Sequence, residues 1–271
     1  MLAGRWLLDL AIAVYGLAVS VMFIDVVRPT PAAGRTAFVF LNGAFLLFTA
    51  AITVELVGCG SLAAFVAERT RLLYAWLLLA ASLLLSAVVR ADLFLLLTNA
   101  VGLAVVTLNL FPPGAPAAGP SGREELLVLH IVGALVAYVL FVLAGVFSVL
   151  YLLLDGWLAA KRIRGRAFRM PPLEQLARYA GAAALVGVPV FAVSLFLGGV
   201  WAFGEAGFGA LRDPKVGFSG AVLLAYGFFV YVRTFARWPW RRAMWVGAGA
   251  FLLLWLNFWT THSLALAAWP G

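Results

Sequence analysis

Charged residues are scarce in this sequence. Only 11% of its 271 residues are Asp, Glu, Lys or Arg, while 65% are hydrophobic and the mean hydropathy is +1.06. A soluble domain has about 25% charged residues, so this chain cannot cover a water-facing globule and is predicted to be an integral membrane protein. The net charge of +8 indicates membrane topology and not nucleic-acid binding, because no soluble basic face is available.

Sulfur and imidazole side chains are also nearly absent. Cys59 is the single cysteine, which excludes an intrachain disulfide and any C-x-x-C redox or metal motif. The two histidines are His130 and His262. Because the sequence also lacks a Gly-rich phosphate loop, a nucleophile elbow and a paired-carboxylate arrangement, we do not expect an enzyme.

Long apolar runs fill the chain instead. A helix needs about 20 mostly apolar residues to cross the hydrocarbon core. Charges and Pro/Gly clusters leave eight such runs, approximately Trp6–Val27, Ala37–Val57, Leu72–Val89, Leu93–Phe111, Leu126–Leu154, Tyr179–Phe203, Val216–Phe235 and Ala243–Ala267. The first is interpreted as a membrane helix and not a signal peptide, since it is about 22 residues long and lacks a clear cleavage site. Asparagines within the runs, Asn42, Asn99, Asn109 and Asn257, are expected to hydrogen-bond between helices.

These runs predict an all-α, polytopic membrane bundle of about eight transmembrane helices. We expect one transmembrane domain over residues 1–271, with four helices in 1–111 and four more in 124–267. The predicted loops on one side hold 13 of the 19 Lys and Arg residues, six of them within 161–178. Basic residues collect in cytoplasmic loops, so both termini are predicted to lie on the outer side of the cell membrane. The cluster Arg162–Arg169 is interpreted as a topology signal, with docking of an acidic partner or anionic lipid as the alternative.

This topology brings the two histidines to a similar depth near the outer face. His130 lies about one and a half turns into the fifth predicted helix, and His262 lies about 28 Å along the eighth. Small residues at helical spacing after His130 predict that it faces the bundle; they are Gly133, Ala134, Ala137, Ala144, Gly145 and Ser148. Trp255, Phe258 and Trp259 share a helix face with His262. Two inward imidazoles beside an aromatic wall suit a porphyrin with axial histidine ligands.

Other readings of the same residues stay open. Each histidine could simply sit in the interfacial aromatic belt. Zinc needs three or four donors, and Glu55 and Cys59 lie towards the same predicted side. A transporter places its substrate at a broken helix, which the Gly187-Val-Pro189 segment could supply. A transmembrane electron carrier would need a second redox centre to cross the core of about 30 Å, and the sequence offers none.

Short motifs in a fixed order run through residues 124–265. They are Leu126-Leu-Val-Leu-His130, Ala137-Tyr138, Ser148-Val-Leu-Tyr151-Leu, Leu173-Glu174-Gln-Leu176, Gly187-Val-Pro189, Leu197-Gly198-Gly-Val-Trp201-Ala202, Asp213-Pro214-Lys215 and His262. On these motifs the chain resembles the cytochrome c assembly superfamily of haem-handling membrane proteins, and within it the HemX/YpjD-type branch. Three features are missing from this chain. They are the further tryptophans of the family's tryptophan-rich haem-binding segment, an acidic residue after Lys215, where this chain has Val216, and the second histidine pair of the haem lyases.

The resemblance implies that His130 and His262 ligate a haem b near the outer face, under an outer loop that spans 201–215. It makes Trp201, Trp255 and Trp259 candidate ring contacts, and Arg212, Lys215, Arg123, Arg69 or Arg71 candidate partners of the propionates. It also implies a role in haem biosynthesis, through the level of glutamyl-tRNA reductase, or in haem handling with cytochrome c maturation proteins. A haem lyase or haem exporter is the alternative, followed by a transporter or scaffold without haem.

Overall fold

The computed structural model describes residues 2–28, 30–59, 61–87, 92–107, 124–161 and 171–259. Within these ranges the chain is helical and contains no strand, which confirms the predicted all-α class. The helices are α1 (Leu2–Val27), α2 (Pro31–Cys59), α3 (Leu62–Glu68), α4 (Thr70–Ser86), α5 (Asp92–Thr107), α6 (Glu124–Ala159), α7 (Leu173–Ala206), α8 (Pro214–Thr234) and α9 (Trp240–Trp259), with a 3-10 helix at Gly207–Arg212. They form two compact units, α1–α5 and α6–α9.

Several of these helices are long and apolar enough to cross a membrane. Among the described residues five qualify, namely α1, α2, α6, α7 and α8, and the bent pair α3–α4 makes a sixth if it forms one span. The apolar helix α5 has 16 described residues, and the predicted eighth run continues past the described end of α9. The chain is therefore a multi-pass helical membrane protein, and the count of eight spans stays a prediction.

In the first unit, α1 and α2 pack along stripes of buried residues at helical spacing. The stripes consist of Leu8, Ala11, Tyr15, Ala18 and Met22 on α1 and Ala37, Leu41, Ala44, Phe48 and Ala51 on α2. A polar contact joins α1, α4 and α5, because the buried Asn99 side-chain oxygen accepts hydrogen bonds from Tyr15 at 3.0 Å and from Ser82 at 3.2 Å. Asn99 thus makes the expected interhelical bonds, whereas Asn42 donates to the carbonyl of Phe38 in its own helix at 2.8 Å.

The short helix α3 was not predicted. Ser61 caps its N-terminus by accepting from the backbone N–H of Ala64 at 3.4 Å, and the chain bends by 81° between α3 and α4. Arg69 lies at the bend and forms an ion pair with Glu55 of α2 at 3.0 Å. The charged residues at 68–71 therefore do more than separate two apolar runs. They lie where the chain bends between the short helix α3 and α4.

In the second unit, α6 packs against both α7 and α9. Glycines allow the close approach that small residues give in membranes: a Cβ on Gly145 would fall 2.5 Å from Cβ of Phe251, and one on Gly187 would fall 2.8 Å from the Phe141 ring. The Phe141 ring stacks on Tyr226 of α8, with ring centroids 4.0 Å apart, and the Tyr226 hydroxyl donates to the Phe141 carbonyl at 2.8 Å. The predicted inward stripe of α6 is therefore confirmed as a packing face.

Candidate functional site

His130 lies on α6 and is hydrogen-bonded to Ser194 of α7 in two places. Its Nδ1 is 2.7 Å from the backbone carbonyl oxygen of Ser194. In return, the Ser194 hydroxyl donates to the backbone carbonyl of His130 at 2.7 Å. Gly133, one turn further along α6, has its Cα hydrogens towards the same serine, where a Cβ would come within 3.1 Å of Ser194 Cβ. The histidine therefore faces the α6–α7 interface, as its neighbours predicted.

These contacts determine which ring nitrogen carries a proton. A carbonyl oxygen only accepts hydrogen bonds, so the contact from Nδ1 to the Ser194 carbonyl requires a proton on Nδ1. The Ser194 hydroxyl also lies 3.2 Å from Nδ1, but its proton is directed to the His130 carbonyl. In the neutral ring the lone pair is then on Nε2, which is the arrangement a metal-binding histidine has when its other nitrogen donates to a carbonyl.

The imidazole is seated against Gly198, one turn beyond Ser194 on α7. A Cβ at this position would lie 2.5 Å from both Cε1 and Nδ1 of His130, so only glycine leaves room for the ring. Trp201 follows Gly198 by three residues on the same helix and is half-buried. Its indole Nε1 is buried and has no hydrogen-bond partner among the described residues. The His130 ring and an unsatisfied donor therefore lie near neighbouring turns of α7.

The segment 201–215, predicted as an outer loop, is largely helical. Trp201 belongs to the last turns of α7, which continues to Ala206. Gly207 has a φ of +55°, which glycine adopts without strain, and the 3-10 helix begins at this residue. Asp213 then caps α8 by accepting from the Lys215 backbone N–H at 2.8 Å. The segment is therefore not an open loop, because α7 continues into it and the 3-10 helix and the Asp213-capped α8 follow.

A polar chain connects α8, α9 and α6. The Lys215 ammonium group, at the start of α8, donates to the carbonyl of Asn257 on α9 at 2.6 Å. The buried Asn257 amide donates to the Tyr138 hydroxyl on α6, also at 2.6 Å. The ring of Tyr138 contacts those of Phe191 and Phe258 at centroid distances of 5.2 and 5.5 Å. Asn257 therefore makes the interhelical bond predicted for it, and Lys215 is tied to the α9 backbone.

The remaining predicted site residues are distributed as follows. Trp255 lies on α9 and contacts Phe258, with ring centroids 6.4 Å apart, and Arg212 is exposed at the end of the 3-10 helix. His262 and Arg123 lie outside the described residues, and Trp259 is described only as the last residue of α9. Arg69 and Arg71 belong to the first unit, at the α3–α4 bend and the start of α4.

Two alternatives can be compared with this geometry. Among the described residues no three His, Cys, Asp or Glu side chains are grouped as metal ligands, and Glu55 is engaged by Arg69. The transporter alternative relied on a break at Pro189, but α7 runs unbroken through this residue. Pro189 has no backbone N–H, so one hydrogen bond of α7 is lost. Membrane helices tolerate such a proline because neighbouring helices and side chains satisfy the backbone groups that it frees.

Two residues of α7 position His130: the sequence analysis missed Ser194 and named Gly198 only as part of a motif. They lie four residues apart and precede Trp201, in the small-xxx-small spacing that brings membrane helices close together. That spacing could have identified α7 as the partner of the His130 face. Tyr138 had been noted only as part of a motif, although an asparagine at a buried position of a membrane helix requires a polar partner.

This geometry defines a class of protein: a multi-pass helical membrane protein in which a histidine is positioned between two packed helices. The sequence profile described as cytochrome c assembly protein matches residues 65–266. The chain therefore belongs to the cytochrome c assembly family. It is 32% identical over 256 residues to Protein HemX of Brevibacillus brevis, covering 94% of both chains, and 31% identical over 261 residues to Protein HemX of Bacillus subtilis (strain 168), covering 95% of both. No solved structure matches it.

Proposed function

We propose that this HemX-like membrane protein binds one haem b in its second unit, with His130 and His262 as the axial ligands. The observation that carries the proposal is the hydrogen bond from His130 Nδ1 to the Ser194 carbonyl at 2.7 Å. It fixes the tautomer whose lone pair is on Nε2, and it holds the ring against rotation. Metal-binding histidines are typically oriented by such a bond to a carbonyl.

The register between α6 and α9 supports His262 as the second ligand. Three contacts define it: Tyr138 with Asn257, Gly145 with Phe251, and Ser148 with Gly247. The two residue numbers in each contact add up to 395 or 396, as expected for antiparallel helices in constant register. At Trp259, where the described part of α9 ends, this register reaches residues 136 and 137 of α6, about two turns from His130. His262 is three residues further along the chain.

Other groups of the second unit suit the rest of a haem. The buried N–H of Trp201 has no acceptor among the described residues, and a propionate carboxylate would supply one. Lys215 has three donor hydrogens and uses one on Asn257, so it is a second propionate candidate, and Arg212 and Arg123 are further candidates. Trp255 and Trp259 are the proposed ring contacts from α9. Because Gly198 has no side chain, the His130 ring lies close to α7.

We further propose that the protein handles or senses haem and does not catalyse a reaction. Bound haem would supply an iron that changes oxidation state, and the side chains of His130 and His262 would hold that iron. The proposed setting is the cytoplasmic membrane. The proposed partners are a cytoplasmic enzyme of haem biosynthesis, glutamyl-tRNA reductase, or the cytochrome c maturation proteins, and a haem lyase or exporter is the competing role.

An absorbance spectrum of the detergent-purified protein tests haem binding. We expect sharp reduced α and Soret bands in the wild type after haem addition, and weakened bands in both His130→Ala and His262→Ala. Arg178→Ala is a control variant, since Arg178 is exposed at the start of α7. A wild type that stays colourless with added haem overturns the proposal. Bands that persist in both histidine variants would show that other ligands hold the iron.

A further inference from the structure

Asn257, in the last described turn of α9, is held by two other helices at once. Its backbone carbonyl accepts a hydrogen bond from the Lys215 ammonium group of α8, and its side-chain amide donates to the Tyr138 hydroxyl of α6, each at 2.6 Å. Asn257 is fully buried. Because both its main chain and its side chain are bonded, this turn of α9 can neither slide nor rotate without breaking a hydrogen bond.

The two residues that hold Asn257 are themselves fixed by further contacts. Lys215 lies in the first turn of α8, where Asp213 accepts a hydrogen bond from its backbone N–H at 2.8 Å. Ser219, one turn further along α8, is buried, and its side chain hydrogen-bonds with the Tyr138 hydroxyl. Tyr138 thus has polar contacts with both α8 and α9. We call the three residues Lys215, Asn257 and Tyr138 the Asn257 clamp.

The Asn257 clamp joins the two segments that carry the proposed haem ligands. Tyr138 lies eight residues after His130 on α6, about two turns of helix. Asn257 lies five residues before His262 in the sequence. Among the described contacts between α6 and α9, those of Tyr138 with Asn257 and Phe258 are the nearest in sequence to both histidines.

Hydrogen bonds fix this turn of α9 more closely than ring packing does. The rings of Tyr138 and Phe258 are in contact, with centroids 5.5 Å apart, but apolar contacts have no preferred direction. A hydrogen bond constrains both a distance and an angle, and lipid offers no competing donors or acceptors. A binding site has to hold its ligands to within about 0.5 Å, which makes such bonds suitable for orienting a ligand-bearing segment.

We propose that Lys215 and Tyr138 are positioning residues for the second axial ligand, acting through Asn257. This rests on the proposed function, because it takes His130 and His262 as the ligands. For Lys215 the role uses the hydrogen that is already bonded to Asn257, and it is independent of a propionate contact through the other two. His130 is oriented by α7 and does not depend on the Asn257 clamp. Without the clamp, His262 should leave the iron while His130 keeps it.

Absorbance spectra of the full-length protein with haem b, purified in detergent, test this in Lys215→Met and Tyr138→Phe. Haem iron with two imidazole ligands is low-spin, and iron with one becomes high-spin, which shifts the Soret band. Each variant is expected to bind haem about 10-fold more weakly, the lower end of the range for a lost outer-shell partner, and to give a high-spin spectrum. Free imidazole should restore the low-spin spectrum by taking the place of His262.

Two controls are matched to these variants. Lys161→Met removes the chain's other lysine, which is exposed just after α6. Tyr226→Phe removes a buried hydroxyl that bonds α8 to the Phe141 carbonyl of α6 at 2.8 Å, a bond to which α9 does not contribute. Both variants should keep the wild-type spectrum. Lys215→Arg should largely keep it too, since a guanidinium also donates to a carbonyl.

Iron protoporphyrin with esterified propionates separates positioning from a propionate contact. Positioning predicts that Lys215→Met stays high-spin and binds the ester more weakly than the wild type does. Equal binding of the ester by the two proteins would overturn the proposal, because Lys215 would then act on a propionate alone. Low-spin spectra and wild-type haem affinity in both Lys215→Met and Tyr138→Phe would also overturn it, and would leave the proposed function intact. A wild type that binds no haem would overturn both.

Discussion

His130 and Ser194 exchange hydrogen bonds across the α6–α7 interface, each donating to the other's backbone carbonyl at 2.7 Å. The pair fixes the histidine's tautomer and the contact between two membrane helices at once. These side-chain bonds leave the helical hydrogen bonds intact, because each backbone carbonyl oxygen has two lone pairs and can accept both bonds. A change that moves the imidazole should therefore alter the site without unfolding the unit.

Gly198→Ala is the most direct test of that positioning. The new Cβ would lie 2.5 Å from Cε1 and Nδ1 of His130, so the ring must shift. We expect haem affinity to fall about 10- to 100-fold, as when an orienting group of a metal ligand is lost, measured by haem titration with absorbance detection. The neighbouring Gly199→Ala is the control, since its Cβ would meet nothing within 4 Å. Unchanged haem affinity in Gly198→Ala would contradict the proposed role of Gly198 in positioning the His130 ring.

Trp201→Phe tests the role of the buried indole N–H. In the haem-free protein the substitution removes a donor that has no acceptor within the described ranges, so the melting temperature should stay the same or rise. Haem affinity should fall about 10-fold or more, the loss expected for one charge-assisted hydrogen bond. Trp245→Phe, at a position 62% exposed, provides the control. A drop in melting temperature with unchanged affinity would assign Trp201 to packing alone.

The all-α class and the packing faces could be predicted from the sequence, because helical periodicity and small residues are local signals. The stripe from His130 through Gly145 and Ser148 faces other helices as expected. The partners could not be predicted in the same way. That Ser194 and Gly198 meet His130, and that Asn257 meets Tyr138, depends on a register across separate helices, which no local pattern contains.

The errors have physical causes as well. Helix α3 is only seven residues long, which is too short to show periodicity. The segment 201–215 was expected to be an open loop because it is rich in glycine and aromatic residues, yet only Gly207 has a positive φ among its described glycines. Composition indicated a turn but did not locate it.

Gly145→Ala tests the close packing of α6 on α9. A Cβ at this position would fall 2.5 Å from Cβ of Phe251, so the helices must separate, at a cost of about 1 to 3 kcal/mol. Gly156→Ala on the same helix meets nothing within 4 Å and should be neutral or stabilising, because alanine favours helix over glycine. Thermal unfolding in detergent should rank Gly145→Ala, the wild type and Gly156→Ala in order of increasing stability; the reverse order would contradict the packing.

Asn257→Leu tests the polar chain from Lys215 to Tyr138. Removing the amide leaves the buried Tyr138 hydroxyl without its 2.6 Å donor, and we expect a loss of about 1 kcal/mol, within the range for hydrogen bonds between membrane helices. Asn42→Leu is the control, because Asn42 bonds only to a carbonyl four residues back in its own helix among the contacts described. Denaturation in mixed micelles measures both. Equal losses in the two variants would show that the interhelical bond adds nothing.

The bent pair α3–α4 determines on which side the N-terminus lies. If the pair crosses the membrane as one broken span, the predicted count is eight and both termini are outside. If it is a re-entrant loop, the count becomes seven and the N-terminus moves to the cytoplasm, while the basic segment 161–178 still fixes the orientation of α6 and α7. We expect a phosphatase fused at either terminus to be active outside the cell membrane, and a fluorescent protein that requires the cytoplasm to stay dark at both. Fluorescence at the N-terminus alone would identify α3–α4 as re-entrant, since no other described pair of helices is bent in this way.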